Sequence, residues 1–95
     1  MSTRILALDH GTVRIGVAIS DDMLMIAQPK PYVPAEPPEA IKTYIHEQWE
    51  GQLKLIVVGM PRNMDGSYGP AAEKVQAFVR RLQEKVDVPI RTWDE

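Results

Sequence analysis

The segment that most constrains this chain runs from Ile5 to Asp21: Ile-Leu-Ala-Leu-Asp-His-Gly-Thr-Val-Arg-Ile-Gly-Val-Ala-Ile-Ser-Asp. Two β-rich apolar stretches, Arg4 to Leu8 and Arg14 to Ser20, flank the turn-like Asp9-His-Gly-Thr-Val, in which Gly11 can take positive φ. So short a connection predicts an antiparallel hairpin. One carboxylate, Asp9, stands where the first strand ends. Paired strands hold such a group rigidly and aim it into the cleft at the strand ends, which suits a metal ligand. A second acidic pair, Asp94-Glu95, closes a predicted strand at the other end of the sequence.

Between these points the elements follow in a readable order. Leu24 to Val33 is a third predicted strand, which Pro29 and Pro31 confine to a sheet edge. Pro34-Ala-Glu-Pro-Pro38 is a linker, and Pro38 suits a first helical position. Ile41, Tyr44, Ile45 and Trp49 have helical spacing, so residues 38–50 form a helix with one apolar face, ended by Gly51. Leu53 to Met60 is almost continuously apolar, as a strand buried on both faces would be. Pro61 to Gly69 is a polar loop. Pro70 opens a second helix over residues 70–85, with Val75, Phe78, Val79 and Leu82 as its stripe. Val88 to Trp93 is the last strand. The order β-β-β-α-β-α-β predicts an α/β fold, an antiparallel meander extended by crossover units. Ligands in such sheets collect beyond the carboxyl ends of the strands. Asp9, the 61–69 loop and Asp94-Glu95 all lie there.

Composition removes several alternatives. With 95 residues there is room for one domain and a small core. The absence of cysteine excludes a disulfide scaffold, a thiolate zinc site and a cysteine nucleophile, and fits a cytoplasmic protein. No apolar run reaches the roughly 20 residues of a membrane span. Met-Ser-Thr-Arg leads straight into a strand, so no signal peptide is expected. The net charge of −2 argues against a broadly basic nucleic-acid surface, so any such binding relies on clustered arginines among Arg4, Arg14, Arg62, Arg80, Arg81 and Arg91.

The candidate residues each carry two readings. Asp9 is a ligand for Mg²⁺ or Mn²⁺, or a turn cap accepting from the backbone of Gly11 or Thr12. Asp94 and Glu95 supply a second carboxylate, or form a solvated end; alternation along the strand allows only one of them to face the site. The 61–69 loop holds phosphate at a helix N-terminus, with Arg62 and Asn63 adding contacts, or is a connection turning at Asp65-Gly66. Arg14 contacts substrate or pairs with Asp9 or Asp21. His10 is a proton shuttle or a turn residue, and His46 a helix-surface residue. Glu73 favours its helix dipole. Trp49 and Trp93 read as packing residues.

Leu8-Asp9-His10-Gly11-Thr12-x-Arg14-Ile15-Gly16-Val17-Ala18, then Val58-Gly59-Met60-Pro61-x-Asn63-Met64-Asp65-Gly66-Ser67, then Asp94-Glu95 together resemble the YqgF/RuvX family. The resemblance spans essentially the whole chain, in order. It implies an RNase H-like fold: one domain over residues 1–95, a mixed sheet with a three-strand meander, parallel strands and helices packed on the sheet. It also implies a nuclease, first described as a Holliday-junction resolvase and later as maturing pre-16S rRNA, acting with Mg²⁺ or Mn²⁺. Asp9 would be the first catalytic carboxylate and a metal ligand, with Glu95 or Asp94 the second. Asn63, Asp65, Gly66 and Ser67 would line the site; Arg14 and Gly16 match the hairpin motif, in a structural or a catalytic role, and Arg62, at an unmatched position of the loop motif, is a candidate substrate contact from the loop reading.

Two departures stand out. Position 10 is His where many members carry another residue, often Tyr. Family members also continue past Asp-Glu with an Arg, hydroxyl residues, a helical stretch and a further acid. A chain stopping at Glu95 is therefore expected to lack a carboxylate, expose apolar surface, self-associate (as a dimer, for example) and have weak or no activity. Other readings remain open. Asp9-x-Gly11-Thr12 also resembles the phosphate hairpin of actin-like ATPases and sugar kinases, which need two such domains. A DNA-junction nuclease and a non-catalytic RNA-binding module are the others.

Overall fold

Alternation builds the first two strands. Leu6 and Leu8 of β1 (Arg4–His10) and Ile15, Val17 and Ile19 of β2 (Arg14–Ser20) are buried on one side, while Ala7 and Asp9 face the other. The computed structural model describes residues 4–20, 27–61 and 65–94 of the chain. β3 (Ala27–Pro34) pairs antiparallel with β2 and contains the expected strand from Ala27 to Val33; Leu24 to Ile26 lie outside the described residues. Its prolines sit on an edge strand, as expected.

The first helix, α1 (Glu39–Trp49), begins one residue later than the sequence suggested, with Pro38 as its N-cap rather than its first helical residue. Ile41, Ile45 and Trp49 are buried, and Gly51 closes the connection at φ +78°, a conformation that costs glycine little. β4 (Leu53–Met60) runs parallel to β1, and α2 (Pro70–Gln83) returns the chain to β5 (Ile90–Asp94), parallel to β4. Glu73 lies in the first turn of α2, as expected.

The sheet order is β3-β2-β1-β4-β5. β3, β1, β4 and β5 therefore point the same way. Both crossovers, β3-α1-β4 and β4-α2-β5, move in the same direction across the sheet. Right-handed connections then put both helices on one face. A single cluster fills the space between them and the sheet, centred on Leu6, Ile15, Ile19, Ile56 and Val58, which are almost wholly buried.

This corrects the reading of β4. The strand is not buried on both faces: Ile56, Val58 and Met60 are buried, but Leu55, Val57 and Gly59 on the other side are only half-buried and Lys54 is exposed. The apolar run reflects β-propensity and partial cover as much as full burial. The face away from the helices is open among the described residues.

Candidate active site

Asp9 stands on that open face, at the end where β1, β4 and β5 all finish. The registers place it in a row across the sheet. Asp9 pairs with Gly16 of β2; Leu8 pairs with Val58, which sets Asp9 beside Gly59 of β4; and Gly59 pairs with Trp93 of β5. Asp9 thus has a glycine on each side, and no side chain overhangs it from either neighbour strand. Beyond Gly16 stands Tyr32 of β3, whose Cε1 lies 3.7 Å from where a Cβ on Gly16 would be. Two hollows meet at Asp9. One, of about 550 Å³, includes Gly11, Arg14, Gly16 and Tyr32; the other, of about 390 Å³, includes Ala7, Val57, Gly59 and Trp93.

The turn that carries Asp9 closes without it. The Gly11 N–H donates to the Arg14 carbonyl at 3.0 Å, and the Ala35 N–H donates to that of Val13 at 3.0 Å. Asp9 makes no hydrogen bond or ion pair among the described residues, so the turn-cap reading is not the one observed. Nor does Arg14 pair with Asp9. Its guanidinium lies 4.5 Å over the Tyr32 ring instead, and Asp21 falls outside the described residues. An aromatic face competes well with an exposed carboxylate for an arginine, because a surface ion pair gains little.

His10 is the last residue of β1 rather than part of the turn. It points to the helix side, where its ring packs 4.5 Å from Phe78. Burial lowers its pKa below 6.5, against the opposing pull of Asp9 and Glu36, and leaves a neutral imidazole at pH 7. His46 is half-buried and bridges the helices' far ends, with Nε2 3.3 Å from the Lys85 carbonyl.

In the loop after β4, Asp65 Oδ1 accepts from the Ser67 N–H at 2.9 Å and from the Ser67 hydroxyl at 2.6 Å. These bonds lower the Asp65 pKa. Gly66 sits between them at φ +87°. The expected Asp65-Gly66 turn is therefore formed, and it leads through Gly69 to Pro70 at the start of α2. Arg62, Asn63, Glu95 and the side chain of Asp94 lie outside the described residues. The Asp94 backbone pairs with Met60, one step past the row that holds Asp9.

Among the described residues no group of three or more metal-ligating side chains converges. Asp9 fits the chemistry of a hard cation: it is an exposed oxygen donor at a strand end with no hydrogen bond or ion pair among the described residues. No described helix is long and apolar enough to cross a membrane.

The two tryptophans separate. Trp49 packs as expected, buried on α1 with its Nε1–H donating to the Tyr44 hydroxyl at 3.1 Å. Trp93 does not pack; it is 68% exposed, and Tyr32 is 63% exposed. Sequence reasoning missed this, although Arg91, two residues before Trp93 on the same strand face, is the signal of a solvated face.

The sequence model of the family described as "RuvX: Holliday junction resolvase" matches residues 3–95. Three similar proteins share the name "Putative pre-16S rRNA nuclease". That of Halothermothrix orenii is 47% identical over 97% of this chain and 66% of its own length. That of Chelativorans sp. is 45% identical over 93% and 56%, and that of Desulforamulus reducens 41% identical over 97% and 68%. The chain therefore spans between 56% and 68% of the length of these relatives. Among solved structures, Archaeoglobus fulgidus Pelota matches all of this chain and 27% of its own, with a TM-score of 0.56 at 11% identity, a likeness of fold alone.

Proposed function

This chain belongs to the RuvX family, whose RNase H-like fold it has, and on that premise we propose that it is a divalent-metal-dependent nuclease. Its substrate is the phosphodiester backbone of precursor 16S rRNA, and it acts in the cytoplasm. The observation that carries this reading is Asp9: an exposed carboxylate with no partner among the described residues, on a glycine-flanked floor at the C-terminal ends of three parallel strands.

Asp9 would hold Mg²⁺ or Mn²⁺, with Glu95 or Asp94 as the second carboxylate. When bound, the metal supplies water activation and stabilises charge at the phosphate. The chain's own residues do the rest. Gly16 and Gly59 let the phosphodiester reach Asp9. Arg14, held over Tyr32, offers a guanidinium to a phosphate oxygen. Arg62, Asn63, Asp65, Gly66 and Ser67 contact the substrate from the loop after β4. That loop leaves the strand next to Asp9, which supports their assignment.

The family's description makes a four-way DNA junction the competing substrate. The test offers both nucleic acids to the full product of the gene with Mn²⁺ or Mg²⁺, beside its Asp9→Asn variant. The expected result is metal-dependent cleavage of the precursor RNA, lost in the variant. Cleavage that survives Asp9→Asn overturns the assignment, and junction cleavage alone overturns the substrate.

A further inference from the structure

Resting on the nuclease reading, we propose that the open face takes its substrate as single-stranded RNA. Bases stack on Trp93 on one side of Asp9 and on the Tyr32–Arg14 pair on the other. The two rings are the flanks of the row Tyr32, Gly16, Asp9, Gly59, Trp93, which crosses all five strands. With strands about 4.8 Å apart, each ring stands two strands, or roughly 10 Å, from the carboxylate. Everything between them is glycine, apart from Asp9 itself.

The floor and the walls do different things. A phosphodiester crossing the sheet reaches Asp9 because positions 16 and 59 carry no side chain. A Cβ on Gly16 would already lie 3.5 Å from Asp9 Cβ and 3.7 Å from Tyr32, so a larger residue would fill the gap between them. The walls are flat π-surfaces that stand in solvent, and such surfaces are costly to leave uncovered. Charge agrees with an anionic occupant. Arg14 caps the Tyr32 ring and has no carboxylate partner among the described residues, so a cation stands beside the ring over which the backbone would pass.

Strandedness follows from the same geometry. A base can stack on a protein ring only when its face is free, and in a duplex both faces are taken by neighbouring bases. Two platforms flanking one carboxylate therefore select an unpaired segment with its bases splayed to either side.

The tryptophans supply a readout independent of cleavage. Trp49 is buried, so the part of the acrylamide quenching of the full gene product that disappears in Trp93→Leu reports on Trp93. In EDTA, a single-stranded oligoribonucleotide should quench the Trp93 emission and protect it from acrylamide. The signal should vanish in Trp93→Leu. Trp93→Leu and Tyr32→Ala should each weaken binding by on the order of tenfold, the weight of one stacked base. Both side chains are exposed, so far-UV circular dichroism should show the variants folded. The proposal is overturned by unchanged affinity in both variants or by equal binding of an RNA duplex. It is also overturned by a Trp93 already shielded from acrylamide without RNA, and equal binding of single-stranded DNA overturns the choice of RNA. Loss of cleavage in Asp9→Asn together with full RNA affinity in both Trp93→Leu and Tyr32→Ala would sink the platforms and leave the nuclease reading standing. Stacking with cleavage retained in Asp9→Asn would do the reverse.

Discussion

Substituting Gly11 by Ala should unsettle the hairpin that carries Asp9 and Arg14. The added Cβ would lie 2.7 Å from the Arg14 carbonyl oxygen, closer than real Cβ contacts come. That oxygen belongs to the backbone, so no rotamer change relieves the clash. It is also the acceptor of the 3.0 Å bond from the Gly11 N–H, so pushing it away weakens the bond that closes the turn. Forcing a methyl into filled space costs about 1–3 kcal/mol, and a weakened hydrogen bond adds up to about 1 kcal/mol. A loss of about 2–3 kcal/mol lowers the Tm of a domain this size by roughly 10–20 °C. Gly16→Ala is the matched control. It lies on the same hairpin, but its Cβ would make only ordinary contacts, 3.5 Å at the closest. Alanine in a strand is favoured over glycine by about 0.5–1 kcal/mol, so this variant should melt at or slightly above the parent. Thermal melts followed by circular dichroism decide the matter. A Gly11→Ala protein as stable as the parent, or a Gly16→Ala protein equally damaged, refutes the reasoning.

Three further outcomes are expected. Ile56→Ala empties a site with no exposure at the centre of the sheet and should cost about 2–5 kcal/mol, seen as a lower urea midpoint with unchanged slope. Asp9→Asn should leave the Tm within about 1–2 °C of the parent, because this exposed carboxylate makes no hydrogen bond or ion pair among the described residues; a large drop would make Asp9 structural. Asp65 should titrate by NMR below 3.8, and Ser67→Ala should bring it back up. Its folded pKa is depressed, so its contribution to stability is present above 3.8 and fades as the pH falls through the lower folded value.

Much of the fold was legible because it rests on local chemistry. The alternation in β1 and β2, Pro70 at the head of α2 and Gly51 after α1 each fix one element with no help from the rest of the chain. What escaped was sidedness. Leu53 to Met60 reads the same whether one face or two are covered, and only the two crossovers moving the same way leave the second face bare. The same gap hid Trp93, whose exposure depends on which face β5 turns outward. Asp9 was a candidate from the sequence because a carboxylate at the end of a hairpin strand is a local signal. Its glycine-flanked setting required the register of β1 on β4, which pairs Leu8 with Val58 and which no spacing along the chain records. The contact of Arg14 with Tyr32 was not legible either, because Tyr32 comes alongside only through the β2–β3 pairing.

The two borders of the sheet are unlike. Along β3, Pro29, Pro31 and Pro34 interrupt the row of amide donors, so a further strand finds few hydrogen bonds there. Along β5, Ile90 to Asp94 contains no proline, so its backbone donors are not interrupted in this way among the described residues. The two borders therefore differ in what their own residue types allow beside them: one resists strand addition by its prolines, and the other carries no such guard among the described residues.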